Sequence, residues 1–333
     1  MSPTILMNLT INCLILLHMN NQKNILVFGS NGMVGSSVSR KLKKSKKVNK
    51  LTLSSRSDTD LFNSSEVFEK INKVEPDVII NCAAKVGGIL ANNTYRTEFL
   101  IENLKINMNI VEGIRDNKNI KLINLGSSCI YPLNATNPIK EDSLLAGKLE
   151  PTNSPYALSK IVSIELANAL SIQFGHKTLN LMPTNLYGVN DNFSEGNSHV
   201  IPGLIRRMYQ SKLSNENEFK IWGSGKPLRE FLYVDDLANA VEFFIDKDIT
   251  ESLLNIGSGV EISILDLAKK IQDILGYQGT LAFDNSKPDG NPRKLLDSSL
   301  ANSYGWRAQT SLDQGLEETI EWYLKNIDNI RSI

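Results

Sequence analysis

Cysteine is scarce in this 333-residue chain: Cys13, Cys82 and Cys129 are the only three. Their spacing matches neither a disulfide framework nor a metal site of the zinc type, and a reducing cytoplasmic setting fits it best. Net charge is absent as well. Lysine plus arginine and aspartate plus glutamate both number 36, so no overall field gathers nucleic acid or coats an anionic membrane, and any anionic partner has to be recognised locally. Long apolar runs are missing apart from Ile5 to Leu17, which Asn8, Thr10 and Asn12 interrupt and which no lysine or arginine precedes. That run makes a poor signal peptide and is too short for the ~20 residues of a membrane span. No internal repeat, low-complexity tract or flexible linker divides the rest.

With 41% hydrophobic residues, the chain has enough apolar material for one large α/β unit, or for a nucleotide domain carrying a smaller lobe. Strand-like and helix-like segments alternate from Asn24 onward. Apolar runs at Ile25–Phe28, Leu51–Leu53, Val78–Asn81, Lys121–Leu125 and Leu179–Met182 read as strands, and Glu98–Asn117 and Tyr156–Gly175 as helices. Alternation of this kind predicts an α/β fold with a doubly wound parallel sheet covered on both faces. After Pro183 the pattern loosens into a Gly- and Asn-rich loop (Gly188–Asn197), a helix near Ile201–Ser211, a strand Lys220–Trp222 and further helices. The basic run Arg40, Lys41, Lys43, Lys44, Lys46 and Lys47 falls at the end of the first predicted helix, where its charges complement the helix dipole and stay solvated. It lacks the interleaved aromatics of a nucleic-acid surface.

Strand Ile25–Phe28 runs directly into Gly29, Ser30, Asn31, Gly32, Met33, Val34, Gly35 and Ser36 and then a helix. This is the context of a dinucleotide fingerprint, in which glycines allow the tight turn and backbone N–H groups approach a pyrophosphate at the helix N-terminus. The second strand ends at Arg56, where NAD-specific sites usually carry a carboxylate for the ribose 2′-hydroxyl. An arginine there suits a 2′-phosphate and favours NADP(H), while Asp58 and Asp60 just beyond keep NAD open.

Tyr156 and Lys160 share one helix face. A lysine ammonium near a phenol stabilises phenolate and suits the tyrosine to proton transfer. The spacing alone is common by chance. It gains meaning because Leu125, Gly126, Ser127 and Ser128 end the strand Lys121–Leu125, at the sheet edge where ligands of such folds bind. There Ser127 and Tyr156 can polarise a substrate carbonyl together. Fingerprint, serine, tyrosine and lysine follow the order of a short-chain dehydrogenase/reductase.

Longer stretches make the likeness more specific. The segments Ala83–Ile89, Gly126–Pro132, Glu150–Asn153, Met182–Gly188, Asn197–Pro202, Trp222–Gly225, Pro227–Phe231, Lys287–Gly290 and Pro292–Lys294 resemble those of the GDP-L-fucose synthase family, within the extended short-chain dehydrogenases. The resemblance runs from about Lys23 to the C-terminus. It implies a Rossmann-type domain at 23–186, a smaller C-terminal α/β substrate lobe at 187–333 with segments returning to the first domain, and an unshared extension at 1–22. Residues 1–18 are expected to be dispensable or mis-assigned, with Met19 a natural start. Val189, in place of a common proline, and Asn31, in place of a basic residue, are further departures.

The family converts GDP-4-keto-6-deoxy-mannose to GDP-L-fucose by epimerising C3 and C5 and then reducing C4 with NADPH. A 4-keto group acidifies both neighbouring carbons, so a base on one face and an acid on the other serve both inversions. The resemblance assigns Cys129 as base and His199 as acid, with Ser127 and Tyr156 on the oxygen and Lys160 on the ribose and the phenol. It adds Pro183, Thr184, Asn185, Leu186 and His199 to the cofactor site, and Arg207, Trp222, Arg229 and Asp289 to the GDP-sugar. It also implies a cytoplasmic homodimer joined through the helices Glu98–Asn117 and Tyr156–Gly175. Two alternatives remain open from sequence: a 4,6-dehydratase or 4-epimerase of nucleotide sugars, and a non-catalytic NADP-sensing protein.

Overall fold

Successive residues of the first strand, β1 (Lys23–Phe28), face opposite sides of a sheet. Ile25 and Val27 join one apolar cluster, while Leu26 and Phe28 join another. All four are fully buried, as the run of apolar residues requires of a strand covered on both faces. The computed structural model describes residues 22–196, 198–287 and 289–329, so the expected dispensable segment 1–18 lies outside the described residues.

The chain continues through α1 (Met33–Leu42), β2 (Val48–Ser54), α2 (Ser64–Val74), β3 (Val78–Asn81), α3 (Ile89–Thr94), α4 (Arg96–Ile114), β4 (Lys121–Leu125), α5 (Ser154–Phe174), β5 (Thr178–Pro183) and β6 (Asn185–Tyr187). Beyond these come α6 (Val200–Leu213), β7 (Glu218–Trp222), β8 (Leu228–Tyr233), α7 (Val234–Phe244), β9 (Leu253–Ile256), β10 (Glu261–Ser263), α8 (Ile264–Leu275), β11 (Thr280–Asp284), β12 (Arg293–Lys294), α9 (Ser299–Ser303) and α10 (Leu312–Asn326). Six strands form one parallel sheet in the order β2-β1-β3-β4-β5-β9. The protein is thus α/β with a doubly wound parallel sheet, and the order reverses between β1 and β3, the switch point where such sheets bind ligands.

A buried polar ladder fixes the register of the middle strands. Asn81, Asn124 and Asn180 stand side by side on β3, β4 and β5. Asn81 Nδ2 donates to Asn124 Oδ1 (3.3 Å), and Asn124 Nδ2 donates to Asn180 Oδ1 (3.1 Å). Asn107 of α4 and Ser163 of α5 close the network through a 2.9 Å bond. Buried amides are costly unless satisfied, so a strand slipped by one residue would strand the whole set.

The basic run is more engaged than its sequence suggests. Arg40, Lys41 and Lys47 pair with Asp235, Glu242 and Asp246 on and beside α7, at 2.8, 3.2 and 2.7 Å. Lys47 Nζ also donates to the carbonyls of Glu242 and Phe243 at the end of that helix. These charges fasten α1 to α7, whose apolar faces meet in the cluster below, although each half-exposed pair contributes under about 1 kcal/mol.

The second lobe has its own core, with Leu204, Ile205 and Met208 of α6, Phe219 and Ile221 of β7, Leu267 and Ile271 of α8 and Ile320 of α10. In it, β8 pairs with β10, β12 and β6. The chain returns to the large sheet at β9. Among the described residues no helix is long and apolar enough to cross a membrane.

Candidate active site

The glycine-rich turn sits at the switch point. Gly29 has φ +71°, and a Cβ there would lie 2.7 Å from the Ala83 backbone, while one at Gly35 would lie 2.1 Å from the Gly29 carbonyl oxygen. Only glycine lets this turn press against both β3 and its own helix. The N-cap of α1 is Gly32, with no capping side chain and no acid in the first turn. The N–H groups there and the positive end of the helix suit an anion such as a pyrophosphate. Ser30 is buried, Asn31 is exposed, and Met33, Val34 and Ser36 are half-buried as the helix begins. Asn190, from the loop after β6, donates to the Asn31 carbonyl and to Ser36 Oγ, both at 3.2 Å. That loop therefore covers the turn, a contact that no spacing or periodicity in the chain marks.

At the end of β2 each of the two carboxylates that kept NAD open has one oxygen engaged by its own turn. Asp58 Oδ2 accepts from Ser55 N (2.8 Å) and Ser55 Oγ (2.6 Å), and these bonds hold its carboxyl below the usual range. Asp60 Oδ1 accepts from Phe62 N at 3.0 Å. Arg56 is exposed, its guanidinium 5.4 Å from the Phe62 ring centroid, and is the residue at this edge with donors to spare.

The proposed reaction centre gathers at the C-terminal end of β4. Ser127 has an extended backbone and starts the turn Ser128–Ile130, its Oγ accepting from Cys129 N at 3.3 Å. Ser128 and Cys129 are buried. Gly126 N donates to the Leu181 carbonyl (2.9 Å), which anchors this corner on β5. Pro155 lies in the first turn of α5 and presets its start. Tyr156 follows, its ring edge-on to Phe99 of α4 at 6.0 Å. One turn further, Lys160 is buried and its Nζ donates to the Leu125 carbonyl (2.9 Å), 5.8 Å from the Tyr156 ring centroid.

Burial sets the protonation of this group. It pushes the Tyr156 phenol well above its ordinary value, with Cys129 adding to the rise and the Ser127 hydrogen bond opposing it. It raises the Cys129 thiol, against the opposing pulls of Lys294 and Ser127, and it lowers the Lys160 ammonium to about 8. Lys294 on β12 is the residue that sequence reasoning passed over. It was visible only as part of a motif, because the pairing of β12 with β8 that carries it towards Cys129 joins segments far apart in the chain. Burial also holds the Lys294 pKa down.

His199 enters from the other lobe, as the residue before α6. It keeps contact with solvent, yet the surrounding protein desolvates the ring and lowers its pKa. No hydrogen bond joins it to Ser127, Cys129, Tyr156 or Lys160 among the described residues. Pro183 ends β5, and the wall beyond it turns polar: Thr184 Oγ1 and Asn185 Nδ2 both donate to the Glu230 carbonyl, at 3.2 and 2.8 Å, while Leu186 packs on the sheet core.

The four residues expected to hold substrate lie together on the second lobe. The Arg207 guanidinium is 4.6 Å from the half-exposed Trp222 ring and 4.9 Å from that of Phe219, and its Nη1 donates to the Lys220 carbonyl (2.9 Å). Lys287 Nζ is 5.8 Å from the Trp222 ring. Asp289 uses both oxygens on Ser224, accepting from its N (2.6 Å) and Oγ (2.8 Å). Those bonds keep its carboxyl below the usual range, with Lys226 and Arg229 adding a smaller pull. Asp289 therefore braces the loop behind Trp222 before it meets any ligand.

A nucleotide cradle at the switch point, with a serine, tyrosine and lysine converging beside it, defines a nicotinamide-dependent short-chain dehydrogenase/reductase. The chain belongs to the NAD dependent epimerase/dehydratase family, whose model matches residues 25–257. It is similar to GDP-L-fucose synthase 1 of Arabidopsis thaliana, 46% identical over 92% of this chain and 94% of that one. It is also similar to GDP-L-fucose synthase of Escherichia coli, 42% identical over 93% and 99%. Among solved structures, a GDP-L-fucose synthetase of Naegleria fowleri bound to NADP is 30% identical with a TM-score of 0.83, covering 92% of this chain and 94% of that one.

Proposed function

We infer that this chain converts GDP-4-keto-6-deoxy-D-mannose to GDP-L-fucose, epimerising C3 and C5 and then reducing C4. The observation that carries the reading is Cys129 beside Ser127, Tyr156 and Lys160, in a chain whose relatives of that name match it nearly end to end. A simple 4-epimerase has no need of a second acid/base pair at this point. The cofactor is NADP(H), supported by the exposed Arg56 beside two carboxylates that each give one oxygen to a local turn. When bound, NADPH supplies the hydride for C4.

The chain's own residues do the rest. Cys129 removes the proton at C3 and at C5, and His199 returns one from the opposite face. The enolate charge develops on the same C4 oxygen both times, so Ser127 and Tyr156 serve both inversions. In the reduction Tyr156 gives its proton to that oxygen, and Lys160 holds the phenol and the ribose. Arg207 and Arg229 take the diphosphate and Trp222 stacks on the nucleotide. Two copies join through α4 and α5, where Ile101, Met108, Leu158 and Val162 are exposed. The cytoplasm suits a working thiol, which has to stay reduced.

The test is NADPH consumption with GDP-4-keto-6-deoxy-mannose and the stereochemistry of the product. GDP-L-fucose is the expected product, and an untouched NADPH pool would overturn the reading. Arg56→Ser is expected to lower the preference for NADPH over NADH, as the ratio of kcat/KM values, by about tenfold to a hundredfold, the worth of a charge-assisted hydrogen bond. An unchanged ratio would move 2′-phosphate recognition elsewhere.

A further inference from the structure

Glu230 is fully buried on β8, next to Arg229. Its carboxylate meets two backbone donors: Oε1 accepts from Gly259 N (2.7 Å) and Oε2 from Leu296 N (3.0 Å). The carboxylate also lies flush on Gly257, where a Cβ would come within 2.3 Å of Oε1. The Glu230 carbonyl accepts from Thr184 and Asn185. One residue thus ties together three segments around the reaction centre. These are the wall after β5, the loop leaving β9, and the chain two residues beyond Lys294. The strand pairing sets Lys294 opposite Arg229.

We propose that Glu230 is a positioning residue, whose carboxylate ties the chain just beyond β12 to the loop after β9 and so keeps Lys294 where its charge acts on Cys129. The chemistry suits a carboxylate and not an amide. Both oxygens face N–H groups, so glutamine would set its own NH₂ against one of them and release either Leu296 or Gly259. Buried polar groups acting at this range work through geometry, and a small drift of β12 would draw the Lys294 charge away from the thiol. The proposal rests on reading Cys129 as the working thiol.

The experiment follows Cys129 itself, without turnover. Wild type, Glu230→Gln and Glu230→Asp are alkylated with iodoacetamide across a pH series, and modification is counted on the Cys129 peptide by mass spectrometry, apart from Cys13 and Cys82. In Glu230→Gln the alkylation profile should move up by about one pH unit, read as about tenfold slower modification below the midpoint, since the thiolate is the reactive form. Glu230→Asp keeps the charge but shortens its reach, and is expected to shift the profile in the same direction by less. A looser fold with no effect on position would instead expose the thiol and speed its modification at every pH. An unshifted or accelerated Cys129 profile in either soluble variant overturns the proposal. Failure of the wild type to use the 4-keto sugar would sink the functional reading and leave this shift measurable.

Discussion

Cys129→Ala is expected to slow solvent-deuterium incorporation at C3 and C5 of the 4-keto sugar by about a hundredfold to ten-thousandfold, the range for removal of a positioned base. NADPH binding should persist, and slow oxidation should yield the unepimerised 4-reduced sugar. Burial places the thiol above its ordinary pKa, and desolvation by the surrounding protein holds the exposed His199 below its own, so thiolate and imidazolium coexist only in a minor fraction of molecules. That fraction is constant between the two values. Exchange should therefore show a plateau, falling on the acid side as the thiolate is lost and on the alkaline side as the last imidazolium is lost. The two limbs belong to the pair as a unit. Lys294→Met removes a charge that favours thiolate, so it should lower the plateau and carry its alkaline edge upward. Deuterium exchange in Cys129→Ala at the wild-type rate would remove the cysteine from the role of base.

The parts of this molecule legible in its sequence are those whose physics is local. Strand Ile25–Phe28 followed by its glycines needs no distant partner to be recognised, and Tyr156 and Lys160 are one helical turn apart. The helix expected over Glu98–Asn117 forms over Arg96–Ile114. It begins earlier because Arg96 reaches the carbonyls of Pro151 and Thr152, a contact across more than fifty residues. Asn190 on the glycine turn, Lys294 near Cys129 and the ion pairs between α1 and α7 are equally distant in the chain. None has a periodicity or spacing that marks it. Glu230 is the extreme case: a charged residue in an apolar strand reads as solvent-facing, and only the donors of Gly259 and Leu296 explain its burial. Asp58 shows the reverse. It competes with Arg56 for the ribose on paper, until the turn at Ser55 takes up one of its oxygens.

Tyr156→Phe is expected to lower C4 reduction by about a hundredfold to ten-thousandfold, because it removes the proton donor and one of two groups on the carbonyl oxygen. Proton exchange at C3 and C5 should fall less, since Ser127 still stabilises the enolate. Burial keeps the phenol protonated, which suits a residue that gives a proton away in the reduction. Lys160 then sets the pH dependence. Burial brings its pKa down to about 8, so it is an ammonium below that pH and neutral above it. Reduction should decline as pH rises through about 8, and Lys160→Met should lose most of the rate together with that dependence. Single-turnover NADPH absorbance with an already epimerised 4-keto sugar isolates this step from the inversions. Reduction by Tyr156→Phe at the wild-type rate would move the proton donor elsewhere. Lys160, one turn further along the same helix and hydrogen-bonded to the Leu125 carbonyl, would then be the neighbouring group with a proton to give.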